Sequence, residues 1–137
     1  MKELEASARV IRNHNDLDVY RMAFDAAMRK FELSRGFPPE EEYSLTDQIR
    51  RSSRSVGVKL AEAWRRRRCQ AAFTQSLNRC EAEAAETQVW LEFAVKCGYL
   101  DREQGRILYT EYDHIIGKRV NMINHPESFL LHGNEKR

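Results

Sequence analysis

The residues with the most evident chemistry are four consecutive arginines, Arg65, Arg66, Arg67 and Arg68, directly after Trp64. Guanidinium groups stay charged and hold phosphate oxygens in a bidentate fork. Neighbouring residues of a helix point about 100° apart. The four can therefore line one surface only if the chain turns there. Arg50, Arg51, Arg54 and Lys59 extend the positive charge upstream. Between residues 47 and 79, nine Arg and Lys face two acids; between residues 80 and 113, eight acids face three bases. This asymmetry makes a local field that matters more for partners than the net charge of +2. Two uses of the cluster compete. One is a grip on the phosphate backbone of RNA or DNA, without base readout. The other is a solvated corner whose arginines pair with Glu40, Glu41 and Glu42 or with Glu81, Glu83 and Glu86. Such exposed pairs are worth roughly 0–1 kcal/mol each.

Other chemistries find less support. Glu111 and His114 form one Glu-x-x-His pair. A di-iron bundle needs two such pairs plus a Glu from each of two further helices. The other histidines, His14, His125 and His132, fall at helix ends or in tails, so Glu111 and His114 read as an ion pair and no metal is expected. Ser52, Ser53, Ser55 and Ser76 have no His and acid in a recognisable motif, and neither a nucleophile elbow nor a P-loop occurs. Glu83 and Glu86 read as a solvated face. The expectation is a protein without catalysis or cofactor. Cys69, Cys80 and Cys97 are odd in number and widely spaced. That is neither a disulfide framework nor a metal pattern. Cys80 and Cys97 fall on or near apolar stripes and read as small core residues; Cys69 lies beside the arginines.

These residues need elements to hold them. A chain of 137 residues, 42% hydrophobic and 32% charged, fits one domain with one core. No apolar run reaches the roughly 20 residues that span a bilayer, and the first residues lack the apolar region of a signal peptide. A cytoplasmic location without a membrane partner is expected. Gly36 with Pro38 and Pro39, Gly98, and Pro126 punctuate an otherwise helical periodicity.

Four helices follow. The first spans about residues 16–34, with Asp16 as N-cap and Leu17, Tyr20, Phe24, Ala27 and Phe31 as its apolar stripe. The second starts near Ser44, with Asp47 completing a weak capping box, and runs to the arginines along Leu45, Ile49, Ser52, Val56, Leu60 and Trp64. The third spans about 69–97, with Phe73, Leu77, Cys80, Ala84, Thr87, Leu91 and Ala94 on one face. The fourth follows Asp101, with Leu108, Tyr112, Ile115, Arg119 and Met122, and stops at Pro126. The fold class is all-α, an antiparallel up-down-up-down four-helix bundle over residues 16–126, with an N-terminal extension (1–15) and a C-terminal tail (127–137). Val89, Trp90 and Phe93 form a second apolar row on the third helix, which calls for a second partner, such as another subunit. Trp64 and Trp90 could stack bases, but core or subunit-interface positions fit better; Trp64, Trp90 and Phe93 are the candidate oligomer contacts.

Three segments carry a family resemblance: "DLDVYRMAFDAAM", "FPPEEEYSLTDQIRRSSRSVGVKLAEAWRR" and "LNRCEAEAAETQVWLEFAVKCGYL". In them Leu17, Val19, Tyr20 and Ala23, then Phe37, Pro38, Glu41, Tyr43, Leu45, Gln48, Ile49, Arg50, Arg51, Ser52, Ser55 and Val56, then Ala61, Glu62, Gly98, Tyr99 and Leu100 match in order. The chain resembles the 23S rRNA intervening-sequence protein family. Gly57 stands where the family usually has proline and Ala63 where it usually has glycine, so the second helix is expected to run straight through Trp64. The resemblance implies a bundle assembling into a ring-like homo-oligomer, often a pentamer, and implies no defined activity. A related branch comprises the accessory proteins of diversity-generating retroelements, which bind a reverse transcriptase and nucleic acid. The reading is an oligomeric bundle that binds RNA or DNA through Arg50, Arg51, Arg54, Lys59, Arg65, Arg66, Arg67 and Arg68. Its rival is a retroelement scaffold that docks a reverse transcriptase.

Overall fold

The computed structural model describes residues 11–124 and Phe129. The calls on Pro126, His125 and His132 lie outside these residues, as do most of the expected extension and tail. Four helices make up the described chain: α1 (Asp18–Ser34), α2 (Leu45–Arg65), α3 (Gln70–Lys96) and α4 (Arg102–Asn124). Two single 3-10 turns, His14–Asp16 and Pro39–Glu41, precede α1 and α2. Among the described residues there is no strand, and no helix is long and apolar enough to cross a membrane.

Side-chain contacts fix the antiparallel order. Arg50 near the start of α2 reaches Ser34 at the end of α1, and Gly57 further along faces Tyr20 near its beginning. Ser52 accepts a hydrogen bond from Thr87 of α3 at 2.8 Å. Gln88 of α3 donates to the Tyr109 carbonyl and Asp113 of α4, while Arg119 further down α4 reaches Asn78 and Glu81. Lys30 of α1 meets Glu111 of α4 and closes the ring of helices. The result is an all-α, four-helix, antiparallel bundle.

The stripes expected for the second, third and fourth helices are buried throughout, from Leu45 to Trp64, from Phe73 to Ala94 and from Leu108 to Met122. The stripe expected for α1 is corrected. Its buried face is Val19, Ala23, Ala26, Ala27, Lys30 and Ser34, and Phe24 is 53% exposed. Three alanines let α1 lie close against the bundle, which turns the larger Tyr20, Phe24 and Phe31 to its edge. Cys80 is in the core, where burial pushes its thiol up to about 12. Cys97 is exposed, not a core residue, because it ends α3 at the surface.

The caps also differ from expectation in two places. Asp16 does not cap α1. It closes a capping box with Asn13 around the 3-10 turn, and Leu17 precedes α1 without a side-chain cap. Ser44 forms no box with Asp47. Its hydroxyl donates to Glu41 Oε1 at 2.6 Å, and the same oxygen accepts the Leu45 N–H, so Glu41 caps α2 from outside. Glu41 Oε2 also accepts the Tyr99 hydroxyl at 2.9 Å, and this bond raises the Tyr99 phenol to about 12. Asp101 caps α4 through the Gln104 N–H at 2.9 Å. Gly98 ends α3 at φ 80°, a left-handed conformation that glycine adopts without penalty. Its N–H returns to Val95 and that of Tyr99 to Ala94, a Schellman closure.

One charge lies deep in the bundle. The Lys30 side chain is 0% exposed; Nζ is 3.1 Å from Glu111 Oε1 and 4.6 Å from the Tyr112 ring centroid. Arg29 pairs with the other Glu111 oxygen. Burial outweighs these attractions and lowers the Lys30 amine to about 8.

Candidate nucleic-acid interface

The arginine run is a turn rather than a continuing helix. Arg65 ends α2, and residues 66–69 reverse the chain into α3. The reversal spreads side chains that a straight helix would point around its axis. Arg65, Arg66 and Arg68 are exposed. Among the described residues no carboxylate lies within ion-pairing distance of them, so the expected pairing with Glu40, Glu41, Glu42, Glu81, Glu83 or Glu86 does not form there. Arg67 behaves differently. Its guanidinium lies 3.6 Å from the Trp64 ring centroid, and Nη1 donates to the Trp64 carbonyl at 2.6 Å. Partial burial, then the charges of Arg65 and Arg68, lower its pKa. Trp64 itself is 6% exposed. Of the two places considered for it, core and subunit contact, it occupies the core, with Arg67 as its lid.

The upstream bases divide in the same way. Arg54 is exposed and has no carboxylate partner among the described residues. Arg51 lies 3.9 Å from Asp47, a pair at the limit of contact. Lys59 reaches Glu62 at 3.5 Å. Arg50 is half-buried, donates to the Ser34 hydroxyl at 2.7 Å and lies 4.9 Å from the Phe31 ring centroid. Arg35 and Arg54 each approach the same ring at 5.8 Å. Three guanidiniums thus surround Phe31; of these, Arg35 pairs with Glu32 at 3.7 Å. Arg35 was missed in the sequence, where it reads as a residue of the α1–α2 loop.

From Met28 and Arg54 a groove of about 600 Å³ runs between α1 and α2 towards the arginine turn. Phe24, Met28 and Val58 line it and are exposed, and Arg54, Arg65 and Arg66 stand along it. His14, Tyr20 and Phe24 form a row of rings on its α1 side, with centroids 4.8 and 6.1 Å apart. The signal for this groove lies in the α1 sequence. Alanines at 23, 26 and 27 mark the close-packed face, and Phe24 between them must then face outwards.

The second apolar row on α3 is half accounted for. Trp90 is partly buried against Phe93, with ring centroids 5.8 Å apart, while Phe93 is 53% exposed and Val89 is exposed. Ile107 adds an exposed apolar side chain on α4. Glu111, the acid of the Glu-x-x-His pair, is engaged by Arg29 and Lys30, and His114 is exposed. Among the described residues no group of three His, Cys, Asp or Glu is arranged to hold a metal.

Comparison with known proteins agrees with this architecture. No curated protein matches the chain. A solved structure from Bacteroides thetaiotaomicron VPI-5482, described as a protein with unknown function from the S23 ribosomal protein family, is 28% identical. It superposes with a TM-score of 0.69 over 77% of this chain and 97% of its own. The sequence profile of the 23S rRNA-intervening sequence proteins matches residues 15–121, from the turn before α1 to the last turns of α4. With four helices in the expected order and a profile that spans nearly all of them, the chain belongs to the 23S rRNA-intervening sequence protein family.

Proposed function

We propose that this protein is a non-catalytic bundle that holds the phosphate backbone of RNA or DNA on the arginine surface of α2 and the α2–α3 turn. The observation that carries the reading is the state of Arg65, Arg66 and Arg68. They are exposed at a chain reversal and have no carboxylate within pairing distance among the described residues. Neutralised surface arginines would be weak phosphate ligands; unpaired ones release phosphate counterions on binding. Arg54 continues the surface along α2, while Arg67 and Arg50 brace it through Trp64 and Phe31. Self-assembly accompanies this role. Phe93, Val89 and Ile107 leave an apolar face on α3 and α4 that suits a second copy, and repeated copies multiply a weak grip.

The test is a salt titration of binding to a labelled single-stranded RNA and to a duplex DNA. The variant changes Arg65, Arg66 and Arg68 to Ser and keeps Arg67, whose loss would uncover Trp64. The expected result is steep salt dependence, with a log–log slope smaller in the variant by about three units on the duplex and about two on the single strand. An unchanged slope, or no binding at low salt, refutes the reading and turns attention to a protein partner such as a reverse transcriptase.

A further inference from the structure

We infer that the groove between α1 and α2 is a seat for single-stranded nucleic acid, in which bases stack on the rings of α1 while phosphates lie on the arginines at its two ends. This rests on the proposed phosphate grip and adds strand selectivity to it. Backbone binding by itself does not distinguish a single strand from a duplex. A groove that carries an exposed ring, Phe24, at the end of a row of half-buried ones does, because only an unpaired base can present its flat face to it.

The geometry has the parts such a seat needs. Arg54 and Arg65 are eleven positions apart on α2, about 16 Å along the helix, the reach of a few nucleotides. At the far end stands Arg54, which together with Arg35 and Arg50, outside the groove, surrounds the Phe31 ring. At the near end stand Arg65 and Arg66. Between them the lining is mainly apolar, and Phe24, the last ring of the row, is 53% exposed. Glu62 is the acid within the groove, and Lys59 already pairs with it.

The alternative occupant is a second copy of the chain laid on the same apolar surface. Charge argues against it. Buried centres of protein interfaces are depleted of charge, whereas closing this groove with protein would trap Arg54, Arg65 and Arg66, which have no carboxylate partner of their own among the described residues. A nucleic-acid strand supplies one anion per nucleotide together with the flat apolar surface the rings require.

The experiment uses the full chain with a labelled twelve-nucleotide oligouridine, and with a duplex of equal length as the second probe. Wild type is compared with Phe24→Ala and Phe24→Trp, and the mass of each is measured by light scattering. Phe24 is a surface residue, so both variants keep the core intact. The expected result is a loss of single-strand affinity of roughly tenfold in Phe24→Ala, recovery in Phe24→Trp, duplex binding unchanged and mass unchanged. If wild type binds both probes but Phe24→Ala binds the single strand as well as wild type does, the groove is not the seat, while the phosphate grip stands. If Phe24→Ala lowers the mass of the assembly and Phe24→Trp restores it, the groove belongs to a neighbouring copy and the inference is overturned. If wild type binds neither probe, the proposed function falls and the groove seat with it.

Discussion

Replacing Lys30 by methionine should stabilise the protein at neutral pH, although the change removes an ion pair. The Lys30 amine falls from an ordinary 10.5 to about 8 because burial outweighs the help of Glu111. That gap corresponds to about 3 kcal/mol by which the site disfavours the charged form. Methionine fills the cavity with nearly the same length of chain and no charge. Glu111 keeps Arg29 as its partner, so the substitution leaves no isolated buried carboxylate. The loss of the contact with the Tyr112 ring offsets part of the gain. A net gain of about 2 kcal/mol would raise the melting temperature by roughly 5–10 °C in a domain of this size.

The pH dependence gives the sharper readout. Between pH 8 and 10.5 the unfolded chain holds the Lys30 proton and the folded chain releases it, so this residue makes stability rise with pH. Below pH 8 both states are protonated and its contribution is flat. Cys80, raised from 9.0 to about 12, acts in the opposite direction from about pH 8, and the raised tyrosines Tyr99 and Tyr112 join it above about pH 9. Those groups are common to both proteins, so the difference isolates Lys30: between pH 7 and 9 wild type should gain about 1 kcal/mol relative to Lys30→Met. Urea denaturation followed by circular dichroism at pH 7, 8 and 9 measures both. A methionine variant less stable than wild type at pH 7, together with wild-type and variant profiles that run parallel, would refute the argument. Glu111 and the Tyr112 ring would then compensate the buried charge in full.

Two glycines of α4 should respond to alanine with opposite signs. A Cβ at Gly105 would stand 2.4 Å from Val95 Cγ2, so Gly105→Ala should lose roughly 1–3 kcal/mol through overpacking, and Val95→Ala in the same chain should recover part of it. A Cβ at Gly117 meets nothing within 4 Å, so Gly117→Ala should gain about 1 kcal/mol of helix propensity. Chemical denaturation of the single and double variants checks all three. Asp101→Ala should cost about 1 kcal/mol by freeing the Gln104 N–H, and hydrogen exchange should quicken in the first turn of α4 before anywhere else in that helix.

Helices α2, α3 and α4 were legible because each places its largest apolar residues on the face it buries. Even Arg119 kept its place on the α4 stripe, since Asn78 and Glu81 of α3 meet it there. Helix α1 was misread for the converse reason. Hydrophobicity alone favours Phe24 over Ala23 and Ala26 as a core residue, but close helix packing rewards small size. Lys30, next to Arg29, reads as surface charge; its burial depends on Glu111 and Tyr112, 81 and 82 positions away, which no local pattern reveals. The two misassigned caps share one cause. Ser44 and Asp16 have the right chemistry and the right spacing, yet Glu41 and Asn13 offer competing partners one turn earlier. Of the basic surface, the positions were legible and the division of labour was not. Which arginines brace the fold and which stay free depends on Trp64, Phe31 and Ser34.

The single carboxylate of Glu41 gives the bundle a mechanical polarity. By holding Ser44, Leu45 and Tyr99 together, it stitches the α1–α2 connection to the α3–α4 connection, so one end of the molecule is sewn shut. Among the described residues, the opposite end, where α2 passes into α3, is held by backbone hydrogen bonds, by Arg67 folded over Trp64 and by Phe73 stacked on Phe129, with no carboxylate joining two connections. Thermal breathing should therefore start at the charged end and die out towards the sewn one, as in a zipper fastened at its base. A polyanion laid across the charged end would act there as the missing stitch.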